Sequence, residues 1–202
     1  MIFIDNHSTT VILVIHEIYG INDHIKNVCN QLSDQQFDII CPNLLGKEIV
    51  FDYIQEETAY HHFKNNVGFQ NGVNIIKKLI NDFADRYEQI YVIGYSVGAT
   101  IAWLCSEVKN INGVVGYYGS RIRDYIEVVP NCPTLLFFPE SEPSYNVEEL
   151  ISIMKMKNIS TRKFSGHHGF CDPFSKHYNE ESRIISFEMM LEMISCKKNR
   201  FP

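Results

Sequence analysis

QIYVIGYSVGATIAWLCSEVK, residues 89–109, decides how this chain folds. Residues 89–94 are mostly β-branched or aromatic and read as a buried strand, while Val97 to Lys109 read as a helix. Between them stands Gly94-Tyr95-Ser96-Val97-Gly98, a serine flanked by glycines at the point where strand turns into helix. A sharp strand-to-helix turn lifts such a serine above the sheet, and the glycines are needed because chain and helix pass too closely there for side chains. The N–H of Val97, at the helix N-terminus, is then free to meet negative charge developing nearby.

Outward from this stretch the pattern repeats. Short apolar runs at Val11 to His16, Phe37 to Cys41, Gly113 to Tyr118, Thr134 to Phe138 and Thr161 to Phe164 read as buried strands, with Met1 to Ile4 as a short edge strand. They alternate with helical segments at Asn22 to Ser33, Thr58 to Phe83, Val147 to Lys157 and Tyr178 to Ser195, the second of them weakened by Gly68 and Gly72. Such alternation predicts an α/β fold, a mostly parallel central sheet with helices on both faces, as one domain over residues 1–202. In such sheets chemistry gathers beyond the carboxyl ends of the strands.

Bulk properties narrow the function. The formal net charge is −6, and the one basic cluster, Lys197, Lys198 and Arg200, sits at the C-terminus, so no nucleic-acid partner is expected. No apolar run approaches the ~20 residues of a membrane helix, and no basic leader precedes Val11, which predicts a soluble, cytoplasmic protein without a membrane partner. Six cysteines without a C-x-x-C pair signal neither a disulfide framework nor a zinc site. The neighbouring pairs His61-His62 and His167-His168 point apart in a strand or helix, so no metal and no cofactor are expected.

A serine hydroxyl needs a base within hydrogen-bond reach, usually a histidine oriented by a carboxylate. Both follow Ser96 in the order this architecture uses. The strand Thr134 to Phe138 leads into Pro139-Glu140-Ser141-Glu142, and Glu142 is the preferred acid with Glu140 in reserve. The last strand opens onto Ser165-Gly166-His167-His168-Gly169-Phe170, which offers either histidine as base. The first core strand ends in His16-Glu17-Ile18-Tyr19-Gly20, where the Ile18 N–H is the second candidate oxyanion donor. Glu17 there is either a desolvated carboxyl of raised pKa approaching Ser96 or an exposed residue capping the next helix.

Taken together these residues resemble the dienelactone hydrolase family. The likeness is carried by Val11 to Asn22 with its Glu17, the turn around Ser96, Gly116-Tyr117-Tyr118-Gly119 and His168-Gly169-Phe170, with Pro42 and Ala59-Tyr60 in support. It implies a lidless α/β-hydrolase fold in which Ser96 is the nucleophile, Glu142 the acid and His168 the base, with Glu17 touching the resting nucleophile. Serine stands where the family often has cysteine, which points to ordinary esterase behaviour. Glu142 stands where aspartate is usual. Glu56 and Asp172 occupy positions where the family holds a substrate carboxylate with arginines, and acidic groups there would repel one.

The expectation is a hydrolase of small carboxylic esters or lactones, with Tyr60, Tyr118 and Arg121 lining an open cleft because the Ser120 to Pro130 segment is too short for a lid. Acyl transfer or thioester cleavage by the same three residues, and a non-catalytic ligand-binding homologue, are the rival readings.

Overall fold

The computed structural model describes residues 1–46 and 48–195, so the basic cluster at Lys197, Lys198 and Arg200 lies outside the described residues. Seven strands form one sheet: β1 (Ile2–Ile4), β2 (Thr10–Ile15), β3 (Asp38–Cys41), β4 (Gln89–Tyr95), β5 (Gly113–Tyr117), β6 (Thr134–Pro139) and β7 (Ser160–Phe164). Their order is β1-β3-β2-β4-β5-β6-β7. All neighbours are parallel except β1, which pairs antiparallel with β3.

Every residue of β2 is buried, so its alternating side chains feed two cores. Ile12 and Val14 join Tyr91, Ile93, Tyr95 and Tyr117 against α1 (Asp23–Ser33) and α6 (Glu180–Ser195) on one face. Val11, Leu13 and Ile15 face α3 (Gly68–Phe83) and α4 (Val97–Cys105) on the other. Leu136 and Phe138 of β6 meet Trp103 of α4 and Leu150, Ile151 and Met154 of α5 (Val147–Met156) in a third cluster. With about 25 cal/mol for each Å² of apolar surface removed from water, this two-sided burial is the main stabilising term.

Three expectations need correction. The helix expected over Thr58 to Phe83 is three pieces, α2 (Glu56–His62), a π-turn at Phe63–Val67 and α3, with the break at Gly68, whose φ is +68°. The helix that follows Ser96 stops at Cys105 rather than Lys109, where the Ser106 hydroxyl and N–H both turn back to the Trp103 carbonyl. The last strand is not a buried one: β7 is the free edge of the sheet and only Phe164 is buried in it. Among the described residues no helix is long and apolar enough to cross a membrane.

Candidate active site

The loops after β2, β4, β5, β6 and β7 share one edge of the sheet, and the residues of chemical interest stand on them. Ser96 joins β4 to α4 with φ +53° and ψ −116°, a conformation costing on the order of 1–3 kcal/mol that surrounding packing must hold. The two glycines show what enforces it: a Cβ on Gly94 would come within 2.1 Å of the Gly98 carbonyl oxygen, and one on Gly98 within 2.3 Å of the Ile15 carbonyl oxygen. Helix α4 is thus pressed onto the end of β2, and the Ser96 N–H is anchored to the Tyr117 carbonyl at 2.9 Å.

His168 receives this serine. Its Nε2 lies 2.8 Å from Ser96 Oγ, and its Nδ1 lies 2.5 Å from Glu142 Oε1. The imidazole is 36% exposed and the Glu142 side chain 6%, so the acid is sheltered while the base faces the cleft. Burial alone would pull the His168 pKa down, but the hydrogen bond its Nδ1–H donates to Glu142 and the carboxylates of Glu142, Glu17 and Glu56 outweigh it, and the net shift is upward. Of the alternatives left open by the sequence, Glu140 points to solvent, and His167 is exposed, with its Nδ1 3.2 Å from Ser141 Oγ and its ring against His177. A bridge between Glu142 and Tyr145 closes the turn after β6 and delivers the second carboxylate rather than the first.

The two candidate oxyanion donors flank Ser96. Ile18 and Val97 are buried, and among the described residues neither N–H is taken up by a hydrogen bond. The nine-residue helix α4 adds its positive end at Val97.

Beneath these groups the structure differs from expectation. Tyr118, read as a cleft residue, is fully buried with φ +42°; its ring supports His168 at a centroid distance of 4.8 Å and its hydroxyl meets Cys171 Sγ at 3.3 Å. Glu17 is 4% exposed and does not cap α1, a role taken by Asn22, whose Oδ1 accepts from the Ile25 N–H. The Ser96 hydroxyl is engaged by His168, and the Tyr118 hydroxyl lies on the Glu17 side of the site. Burial and the neighbouring Asp172 raise the Glu17 pKa to about 7, against the opposing pull of His168 and Tyr118.

Below them lie His24, to which nothing in the sequence pointed, and Asp172, which the family likeness set at a substrate-carboxylate position and which is instead buried at 1% exposure. His24, in the first turn of α1, and Asp172, after the His168 loop, converge on Glu17. Burial holds the His24 pKa down to about 4 although Asp172 draws it up. The Asp172 carboxylate accepts from the Tyr53 hydroxyl at 2.5 Å, and that hydroxyl in turn accepts from Asn22 Nδ2 at 3.1 Å. Nothing singled His24 out in the sequence, where it is one histidine in a helix. At one side of the site Arg121 donates to the Tyr60 hydroxyl and to Asp124, each at 3.0 Å.

Comparison with known proteins agrees with this architecture. The family model described as "Dienelactone hydrolase family" matches residues 2–196. The uncharacterized protein YczH of Bacillus subtilis is 42% identical over 172 residues, covering 84% of each chain. Carboxymethylenebutenolidase 1 of Cupriavidus pinatubonensis is 23% identical over 208 residues, 95% of this chain and 88% of that one. Among solved structures, the dienelactone hydrolase-like promiscuous phosphotriesterase P91 from metagenomic libraries superposes with a TM-score of 0.73 at 15% identity, over 92% of this chain and 85% of that one.

Proposed function

This chain belongs to the dienelactone hydrolase family of α/β-hydrolases, and on that premise we propose that it cleaves small carboxylic esters or lactones through an acyl-enzyme on Ser96. One observation carries the reading: an unbroken hydrogen-bonded line runs from Ser96 Oγ through the His168 imidazole to Glu142 Oε1.

Neutral His168 donates through Nδ1 to the Glu142 carboxylate, which fixes the tautomer that leaves Nε2 ready to accept. As Ser96 Oγ attacks the substrate carbonyl, its proton passes to Nε2, and Glu142 stabilises the imidazolium. The negative charge arriving on the carbonyl oxygen is met by the N–H groups of Ile18 and Val97, which hold no competing partner among the described residues. Each such donor is worth roughly 10²–10³ in rate. The imidazolium then protonates the departing alkoxide, and the C–O bond breaks to leave an ester on Ser96. Water enters, gives a proton to Nε2 and releases the acid in a second, equivalent cycle. These steps call on side chains, backbone donors and water only.

Among the described residues no lid domain covers Ser96, and the Tyr60–Arg121 pair, joined by a 3.0 Å hydrogen bond, is the proposed contact for a short acyl group. The test is hydrolysis of p-nitrophenyl acetate and butyrate by the wild type and by Ser96→Ala. A drop of on the order of 10³-fold or more is expected, together with loss of fluorophosphonate labelling; equal rates would sink the assignment.

A further inference from the structure

Glu17, His24 and Asp172 form a group that the hydrolytic steps leave unused. Glu17 leaves β2, His24 stands in α1 and Asp172 follows the His168 loop, yet each offers a ligand atom within 4.8 Å of the other two. All three are buried, at 4%, 1% and 1% exposure.

Two observations separate this group from a chance gathering. First, neither ring nitrogen of His24 has a hydrogen-bond partner among the described residues, although the ring is sealed from solvent. Leaving such a group unpaired costs about 1–3 kcal/mol, so an unpaired buried imidazole calls for an explanation. Second, the partners of the two carboxyls are uncharged. Asp172 accepts from the Tyr53 hydroxyl and the Phe174 N–H, and the polar group beside Glu17 is the Tyr118 hydroxyl. Buried carboxylates are ordinarily matched by a cation.

We propose that Glu17, His24 and Asp172 bind one divalent transition-metal ion, with an imidazole nitrogen and two carboxylate oxygens as its protein ligands. The spacing suits it: His24 Nδ1 and Asp172 Oδ1 are 3.8 Å apart, the separation of two ligands each about 2.1 Å from a shared ion at an angle near ~130°. The mixed donor set favours Zn²⁺ or Mn²⁺ over Ca²⁺ and Mg²⁺, which prefer oxygen alone. Bound there, the ion ties together the β2 exit, the start of α1 and the loop behind His168. The inference is independent of the role given to Ser96.

The experiment measures metal content of the purified protein, then Zn²⁺ and Mn²⁺ binding and thermal melting after chelation. The wild type should bind one equivalent and melt about 5–10 °C higher with the ion at a hundred times its Kd. His24→Phe keeps the edge-on contact with Tyr95, a centroid distance of 5.2 Å; it should fold, melt no lower than the metal-free wild type and lose the response to metal. Asp172→Asn, which can still accept from Tyr53, should weaken binding at least tenfold. Absence of stoichiometric binding in the wild type would overturn the proposal. So would binding that survives in His24→Phe and disappears in His167→Gln, since that result assigns the ion to the exposed His167–His177 pair.

Discussion

Two glutamates stand two positions apart after β6, and the choice between them turns on one turn of chain. The sequence puts both at the correct strand end, and there its information stops, because the antiparallel bridge from Glu142 to Tyr145 that aims the second carboxylate inward is a product of tertiary packing. Glu142→Gln should lower kcat/KM by roughly 10³-fold, since an amide neither fixes the tautomer as firmly nor stabilises the imidazolium. Glu140→Gln, altering an exposed side chain, should change it less than twofold. A similar loss in both variants would mean the turn opens in solution. The pH profile follows from the charges facing His168, namely the carboxylates of Glu142, Glu17 and Glu56, with the Tyr118 ring packed beneath. Burial works against the imidazolium, but the carboxylates win, so His168 takes its proton at a pH above that of an ordinary imidazole. Only the neutral ring can act as base, so kcat/KM should fall on the acid side with a midpoint above ~6.5. In Glu142→Gln the leading favourable interaction is gone and burial remains, so the midpoint should move down; an unmoved midpoint would assign it to another group.

At the scale of elements, the strand-turn-helix around Ser96 was legible because the constraint is local and steric. Gly98 cannot carry a Cβ while α4 lies on β2, for that atom would meet the Ile15 backbone at 2.3 Å, and backbone cannot step aside. Gly72 makes an instructive contrast: its Cβ would meet Ile101 Cδ1 at 2.6 Å, the far end of a side chain that can rotate, and alanine also favours the helix. Gly98→Ala should therefore cost roughly 3 kcal/mol or more, a fall of about 6–12 °C in Tm, whereas Gly72→Ala should stay within about 1 kcal/mol. Equal melting temperatures would refute the close contact. Elements set by distant partners were harder to read. Residues 58–83 keep helical periodicity throughout, which hides the π-turn that accommodates both Phe63 and Val67 in the core. The exposure of β7 was legible and was read past: Arg162 and Lys163 stand within it, and adjacent charges of that kind belong on an edge strand.

Over the whole molecule, parallel topology gathers the carboxyl ends of six strands, β2 to β7, at one edge, which is why a serine, an acid and a histidine in that order could be proposed from sequence. The Glu17, His24 and Asp172 cluster could not, because it depends on how α1 rotates over the sheet and where the loop after His168 comes to rest. Around the catalytic groups there is also an electrostatic bias. The chain carries a formal net charge of −6, and the carboxylates of Glu142 and Glu56 both act on His168. Arg121 is the nearby cation identified from sequence, and it is already paired with Asp124 and bonded to Tyr60. An anionic substrate must approach against this field, and like charges at 5–10 Å in a partly desolvated cleft disfavour it by about 1–2 kcal/mol. The p-nitrophenyl hemiester of succinate, which bears a free carboxylate, should therefore react with a kcat/KM about tenfold below that of its methyl ester, which is the same size without the charge. Screening shortens the reach of the field to roughly 4–5 Å at 0.5 M salt, so the ratio should narrow toward about threefold there. Arg121→Gln should widen it at low salt. A preference for the carboxylate, or a ratio indifferent to salt, would show that a cation other than Arg121 governs the approach to Ser96.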